Sequence, residues 1–394
     1  VLYRRRCHHS NTGKHQSIEP FFKRSYTYFM SDFHEPTNQV SKDLTCSNCG
    51  ATLRYQPGTT NVECAYCGTK VEINAATGIV ETDLEEYLAQ AWKEDETVTV
   101  TVVSCNSCGG ASTLAPNVVS DTCPFCASNL VVKNGTTSAI HKPQYILPFS
   151  FDTLQARERF RGWLKNLWFA PNDLKKYADI DGKLNGMYLP YWTFNCTTDS
   201  IYSGERGDYY YTTESYTHHE NGRSETRTRQ VRHTRWSSAH GQVSNTFDDL
   251  LIEGSRSLPK NKLRALEPWD TKKLLSYDDQ YLAGFRTEVN VVNIKSAYSE
   301  AQGRMQPEIQ ALAKQDIGGD EQQLHSLDTR YLAPSFKHVL LPVWISAYRY
   351  NNKVYQFIIN ARTGEVQGER PYSAIKIILL IASIILFILF LTTL

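Results

Sequence analysis

Four Cys-x-x-Cys pairs constrain this chain more than any other feature: Cys46/Cys49, Cys64/Cys67, Cys105/Cys108 and Cys123/Cys126. Residues 50–63 separate the first two pairs and residues 109–122 the last two, fourteen residues each time. Every cysteine of the second set lies 59 positions beyond its counterpart, so a unit has been duplicated. A tight bend that offers two thiolates, met by a second such bend, makes the tetrahedral sulfur set that zinc takes. The spacing therefore predicts two structural Zn2+ ions, one held by Cys46, Cys49, Cys64 and Cys67 and one by Cys105, Cys108, Cys123 and Cys126. Glycine follows three of the four knuckles (Gly50, Gly68, Gly109), where positive φ would let the backbone curl past the metal; Ala127 stands at the fourth. A redox reading of these pairs needs a βαβ context that the sequence does not offer. Units this small draw on metal binding, roughly 10–16 kcal/mol per structural zinc, for their stability. Chelation is accordingly expected to unfold residues 44–132 selectively. Cys196, in the apolar run Trp192-Thr-Phe-Asn-Cys196, reads as a core residue.

The carboxyl end carries the second constraint. From Ile377 to Leu391 the chain is apolar apart from Ala382 and Ser383. As a helix, Ile377–Leu394 rises about 27 Å, close to the ~30 Å of a bilayer's hydrocarbon core. A helix apolar on every side suits lipid better than a soluble core. Residues 375–394 are expected to cross the membrane once, with lipid as a partner. Arg370 and Lys376 flank the span on its inner side, which by the positive-inside rule leaves the large amino-terminal part in the cytoplasm. Free thiolates ask for the same reducing compartment, and residues 1–30 hold no apolar signal core. The expected location is the cytoplasmic membrane, single-pass and tail-anchored.

With 41% hydrophobic and 21% charged residues, the chain has material for a sizeable core between these ends. Its net charge of +1 conceals a basic start: Arg4, Arg5, Arg6, Lys14, Lys23 and Arg24 face Glu19 alone, leaving the remainder slightly acidic. Bulk coating of nucleic acid by charge is thereby disfavoured. Residues 1–43 read as a disordered leader, with 1–29, ahead of Met30, an over-called start. Residues 44–75 and 100–133 read as the ribbons, and 76–99 as a linker whose helix opens on the box Thr82-x-x-Glu85 and shows Leu84, Tyr87, Leu88, Ala91 and Trp92 on one face. Residues 140–372 read as a Tyr/Trp-rich β domain with few helices, one from Asp152 and a weaker one over Lys295–Gln315 that Gly303 and Pro307 interrupt. The fold class is α+β, β-rich.

Leu189-Pro-Tyr-Trp192, Leu341-Pro-Val-Trp344 and Leu147-Pro-Phe149 resemble one another and read as related strand starts, where proline is tolerated. Gly207–His240 is the most unusual stretch. Placing Asn221-Gly222 at a hairpin turn sets Glu220 opposite Arg223, His218 opposite Glu225, Glu214 opposite Arg229 and Asp208 opposite Arg235. Neither face of that hairpin is apolar, so residues 207–240 are expected to project into solvent. His218, His219, His233 and His240 share no repeating spacing and are not read as metal ligands.

Phosphate-binding loops, nucleophile elbows, His-Glu-x-x-His and dinucleotide fingerprints are missing from the sequence. Four thiolates leave zinc no open position for water. No catalytic residue, small-molecule substrate or organic cofactor is therefore assigned, and the chain reads as non-enzymatic. The tandem ribbons, the Leu-Pro-x-Trp strands and the segment Asn360-Ala-Arg-Thr-Gly-Glu-Val-Gln-Gly-Glu-Arg-Pro-Tyr-Ser373 leading into the apolar helix resemble a bacterial family of tandem TFIIB-type zinc-ribbon, membrane-anchored proteins. Members are often filed as primosomal protein N′ or helicase-like, a label that rests on the cysteine count and not on motor motifs. The resemblance implies a membrane-anchored scaffold that recruits a cytoplasmic protein partner, in some members within a membrane-stress response. The alternative is a membrane-tethered nucleic-acid binder, which Arg227, Arg229 and Arg232 would serve.

Overall fold

The computed structural model describes residues 45–74, 76, 78–90, 97–113, 120–126, 128–131, 136–172, 174, 184–220, 223–350 and 353–393. The leader at 1–43, Ala91 and Trp92, Ala127, and the turn residues 221–222 fall outside them. The first unit is a three-stranded antiparallel ribbon of β1 (Leu53–Tyr55), β2 (Asn61–Cys64) and β3 (Lys70–Glu72). Next come β4 (Thr82–Asp83) and α1 (Leu84–Ala89). The helix is capped by Asp83, whose carboxylate accepts from the Glu86 amide at 2.8 Å, one residue later than the predicted Thr82 box. Thr82 is committed elsewhere, to a ladder opposite Phe336. Tyr87 of α1 meets the Phe336 ring edge-on at 5.0 Å, so this segment is packed down.

The second unit comprises β5 (Thr97–Ser104), β6 (Ala111–Thr113), the pair β7 (Ser120–Thr122) and β8 (Asn129–Val131), and β9 (Thr136–His141), which pairs antiparallel with β5 over Thr97–Val102. After β10 (Tyr145–Ile146) and α2 (Thr153–Lys165) come two very long strands, β11 (Asn185–Glu220) and β12 (Arg223–Glu253). Short elements follow: α3 (Lys260–Arg264), β13 (Leu275–Ser276) and β14 (Arg286–Thr287). Then α4 (Ile294–Ile317) leads into β15 (Glu321–Tyr350), β16 (Lys353–Asn360), β17 (Val366–Gly368) and α5 (Ala374–Thr393). The main sheet runs β12-β11-β15-β10-β13, with β16 and β17 continuing from β15.

Leu-Pro motifs meet at the centre of this sheet: Leu189 of β11 lies directly opposite Leu341 of β15, and β10 runs parallel beside Val339 and Leu340. Both prolines sit inside strands rather than at strand starts, contrary to the expectation. Each falls where its strand changes partner. On one side of β11, β14 pairs as far as Tyr188 and β12 takes over at Tyr191, leaving Pro190 between them. On β15, β10 pairs as far as Leu340 and β16 takes over at Val343, leaving Pro342 between them. A missing N–H costs nothing in such a gap. The carbonyls there are used alike, Pro190 accepting from Gly254 at 2.8 Å and Pro342 from Ala361 at 3.1 Å.

Alternation along these strands builds two cores. Ile146, Tyr188, Leu340, Trp344, Phe357 and Ile359 face one way, together with the α2 residues Ala156, Phe160 and Leu164 and with Leu53, Tyr55, Val62, Cys46 and Cys64 of the first unit. Tyr145, Met187, Leu189, Leu341, Val343 and Ile358 face the other way, together with Cys105, Cys123 and Phe125 of the second. The duplicated units thus clasp opposite faces of one sheet. This explains why its strands read as continuous apolar runs.

Farther along β11 and β12, α4 supplies a third core with Ile294, Ala297, Ala301, Met305 and Ile309. Gly303 and Pro307 do not interrupt this helix, which continues for 24 residues. Both lie on its exposed side; Gly303 is the i−4 residue that the proline ring crowds, and its carbonyl can turn to water. Past Gly207, opposite Glu321, β15 ends and only β11 and β12 continue. The predicted register holds at all four rungs. Glu214 reaches Arg229 at 3.1 Å, whereas Asp208 turns to Arg206 on its own strand at 3.0 Å. The carboxyl-terminal helix is apolar, with a mean hydropathy of 3.1 over Ala374–Thr392 and none of it buried, which makes it long and apolar enough to cross a membrane.

Candidate metal centres

Each knuckle is made by the same backbone hydrogen bond. The amides of Cys46, Cys64, Cys105 and Cys123 donate to the carbonyls five residues on, at Ala51, Thr69, Gly110 and Ser128, over 2.7–2.9 Å. In the three knuckles that have one, glycine takes positive φ (Gly50 72°, Gly68 71°, Gly109 75°) and returns its amide to the first cysteine's carbonyl. These bends bring the sulfurs together in two equivalent sets. Cys46 and Cys67 Sγ are 3.5 Å apart and Cys49 and Cys64 3.4 Å. In the second unit the matching pairs are Cys105–Cys126 at 3.6 Å and Cys108–Cys123 at 3.7 Å.

A disulfide would need about 2.05 Å. Four sulfurs about 2.3 Å from a tetrahedral zinc stand about 3.8 Å from one another. Both sites, with all ligand atoms within 4.8 Å of one another, are positioned to bind zinc. All eight cysteines named from the sequence are brought together as expected, and Cys196 is buried away from both sets. The donor set is closed, which suits a structural ion and leaves no position for a substrate.

Sequence reading missed two hydroxyls. Thr69 Oγ1 lies 3.1 Å from Cys67 Sγ, and Ser128 Oγ lies 3.0 Å from Cys126 Sγ and 3.1 Å from Cys105 Sγ. Thr69 and Ser128 are themselves 59 positions apart, so the repeat offset that paired the cysteines could have found them. Such second partners orient and tune metal ligands. The Thr69 hydroxyl and amide bring the Cys67 thiol down to about 6. Burial opposes ionisation of Cys105, yet the Ser128 hydroxyl and the amides of Cys108 and Ser107 bring it down to about 6 as well. At Cys49 the Ala51 amide favours the thiolate, but the neighbouring sulfurs of Cys64 and Cys67 prevail and push it up to about 12. Burial pushes Cys108 up to about 11 and Cys123 higher still. Like charges crowd in each set, and a dication relieves them.

One polypeptide segment holds both units to the sheet. Tyr55 of the first unit donates its amide to Ala283 at 2.9 Å and packs its ring on Tyr281 and Phe285. A few residues on, Thr113 Oγ1 of the second unit donates to the Thr287 carbonyl at 3.1 Å, Arg286 Nη1 donates to Thr122 at 3.0 Å, and Ser112 bridges to Glu288. A third cluster, Glu81, Asp248 and Asp249, surrounds the buried Lys337, whose Nζ is 3.0 Å from Glu81 and 2.5 Å from Asp249. Burial opposes the ammonium, and the two carboxylates outweigh it and hold its pKa above the usual value. An internal cation already answers those charges.

Comparison with known proteins agrees with this geometry. Residues 46–69 match the LSD1 zinc finger family, a stretch that spans all four ligands of the first site and Thr69. The match carries a zinc-binding module; TFIIB-type kinship and the primosomal label do not follow from it. Over 349 residues, 84% of this chain and 91% of the relative, the sequence is 23% identical to the uncharacterized protein YdjG of Bacillus subtilis. No solved structure matches the chain.

Proposed function

We propose that this chain is a non-enzymatic, membrane-anchored scaffold, with α5 spanning the cytoplasmic membrane, the body on the cytoplasmic side and the β11–β12 ribbon as the surface that recruits a protein partner. The observation that carries this reading is the ribbon itself. Beyond Gly207 it runs thirteen residues as two strands alone, about 43 Å at 3.3 Å per residue. Tyr210, Tyr211 and Tyr216 are exposed along it. Arg232 lies 4.3 Å from the Tyr209 ring centre and Arg229 5.8 Å from that of Tyr216. Rigid aromatics beside arginine are the residue types that dominate protein interfaces. Residues 207–236 hold five arginines against four carboxylates, a poor balance for a polyanion and a good one for a mixed protein surface. The zinc sites support the reading from the other side, since closed thiolate sets brace a framework instead of performing chemistry.

The test compares the full chain with a variant in which residues 208–235 are replaced by a short Asn-Gly turn joining Gly207 to its rung partner Trp236. Excising a ribbon unit instead would strip a face of the sheet. From nuclease-treated detergent extracts, the full chain should retain a protein that the shortened chain loses, with zinc content and membrane fractionation equal in both. An identical set of proteins on both chains would refute the reading. Material that disappears with nuclease and with added salt would move the function to nucleic acid.

A further inference from the structure

Next to the first turn of α5 lies a face whose composition the ribbon and the zinc sites leave unexplained. Trp168, in the loop after α2, is 73% exposed, and Tyr372, two residues before α5, is 60% exposed. The loop is fastened to the helix. Ser373 donates its amide to the Phe169 carbonyl at 2.7 Å, and Lys376, within the first turn, donates Nζ to the carbonyls of Trp168 at 2.9 Å and Ala170 at 2.8 Å. Wherever that turn sits, Trp168 sits beside it. Arg370 lies over the Tyr372 ring at 5.3 Å, and Lys165 closes α2 on the same side. Two recesses open here, one of about 530 Å³ lined by Trp163, Tyr355, Arg370 and Tyr372, the other of about 140 Å³ beside Lys165, Trp168 and Lys376. The one carboxylate lining the larger recess, Glu369, is held by Lys262 at 2.5 Å.

We infer that this face is a second membrane contact, in which Trp168 and Tyr372 lie in the headgroup layer and Lys165 and Arg370 meet the phosphates of anionic lipids. The inference rests on the reading of α5 as a span. Amphipathic rings are at home at the boundary between hydrocarbon and water, long cationic side chains extend from it toward phosphate, and the hydrogen bonds above fix both at that depth. The body is then docked on the bilayer in one orientation instead of swinging from a single helix.

The experiment uses the full chain in vesicles of mixed zwitterionic and anionic lipid, compared with Trp168→Phe, a change at an exposed ring that the fold tolerates. The difference between the two emission spectra isolates Trp168. Resistance to alkaline carbonate extraction reports the span separately. With α5 resistant, Trp168 emission should be blue-shifted, shielded from aqueous iodide and quenched by lipids brominated close to the glycerol end of the acyl chain. A resistant chain whose Trp168 emits as in water and is quenched by iodide would overturn the second contact and leave the span standing. A chain extracted by carbonate would overturn both.

Discussion

At the scale of single residues, the eight sulfurs are unequal. Hydrogen bonds bring Cys67 and Cys105 down to about 6, so both are ionised at neutral pH before metal arrives. Cys49, Cys108 and Cys123 are held above the usual thiol value and still carry protons. Zinc must displace those three protons. Adding two equivalents of zinc to metal-free chain at pH 7 is therefore expected to release at least three protons, read with an indicator dye, and affinity should rise with pH. Release of fewer than three protons per chain would show thiols already ionised and would contradict this ordering. Glu288, beside the second unit, makes a different pH prediction. Burial raises its pKa from 4.5 to about 7, against hydrogen bonds from Ser257 and Ser255, and its Oε2 has no partner. The stability it allows is fully present below pH 4.5, is lost progressively as pH rises, and has gone above about 7, where the folded chain carries a buried carboxylate. A shift of that size corresponds to about 3 kcal/mol. Glu288→Gln, compared with the parent at each pH so that zinc cancels, should be equal in stability near pH 4.5 and more stable by up to about 3 kcal/mol at pH 8. A pH-independent difference in urea melts would refute this.

At the scale of elements, Gly162 offers a clean test, because a Cβ there meets nothing within 4 Å and the residue lies inside α2. Gly162→Ala should stabilise the chain by roughly 0.5–1 kcal/mol, through the smaller backbone entropy lost on folding. A loss of stability in thermal melts would mean that this exposed face of α2 is constrained in some other way. Elements differed in how far the sequence disclosed them, and the reason is whether local chemistry determines each one. The metal knuckles and the long hairpin were legible, since a fixed spacing and one turn with four charge rungs specify them without reference to the rest of the chain. By contrast α4 was discounted on Gly303 and Pro307, whose cost vanishes when both fall on the solvent side. The placement of Pro190 and Pro342 depended on which neighbours β11 and β15 would exchange, a property of the whole sheet. The attachment of the two units at Ala283 and Thr287 joins residues far apart in the chain, and no periodicity announces it.

At the scale of the whole molecule, the consequence of removing zinc changes from what the cysteine spacing implied. Read as beads on a linker, the ribbons should melt alone and leave the β domain intact. In the fold, Cys46 and Cys64 share a core with Tyr188, Trp344 and Phe357, while Cys105 and Cys123 share one with Leu189, Leu341 and Ile358 on the opposite face. Loss of either unit uncovers a face of the central sheet and leaves apolar residues such as Tyr188 or Leu341 to water. A structural zinc contributes roughly 10–16 kcal/mol, as much as the roughly 5–15 kcal/mol that holds a typical domain together. The rest of the cover, α2 on the first face and Leu263, Leu266 and Trp269 on the second, packs against the same core residues as the metal units. Stripping the metal from the full chain in detergent is therefore expected to lower one cooperative transition by many degrees, with the near-ultraviolet circular dichroism of the sheet's tyrosines and tryptophans lost together with the metal-site signal. Cys64→Ala, which opens the first site alone, should bring the same single transition down and leave one zinc per chain. A two-step profile, in which a metal-dependent step disappears while the aromatic signal of the sheet melts at its original temperature, would restore independent ribbons and separate them from the body they clasp.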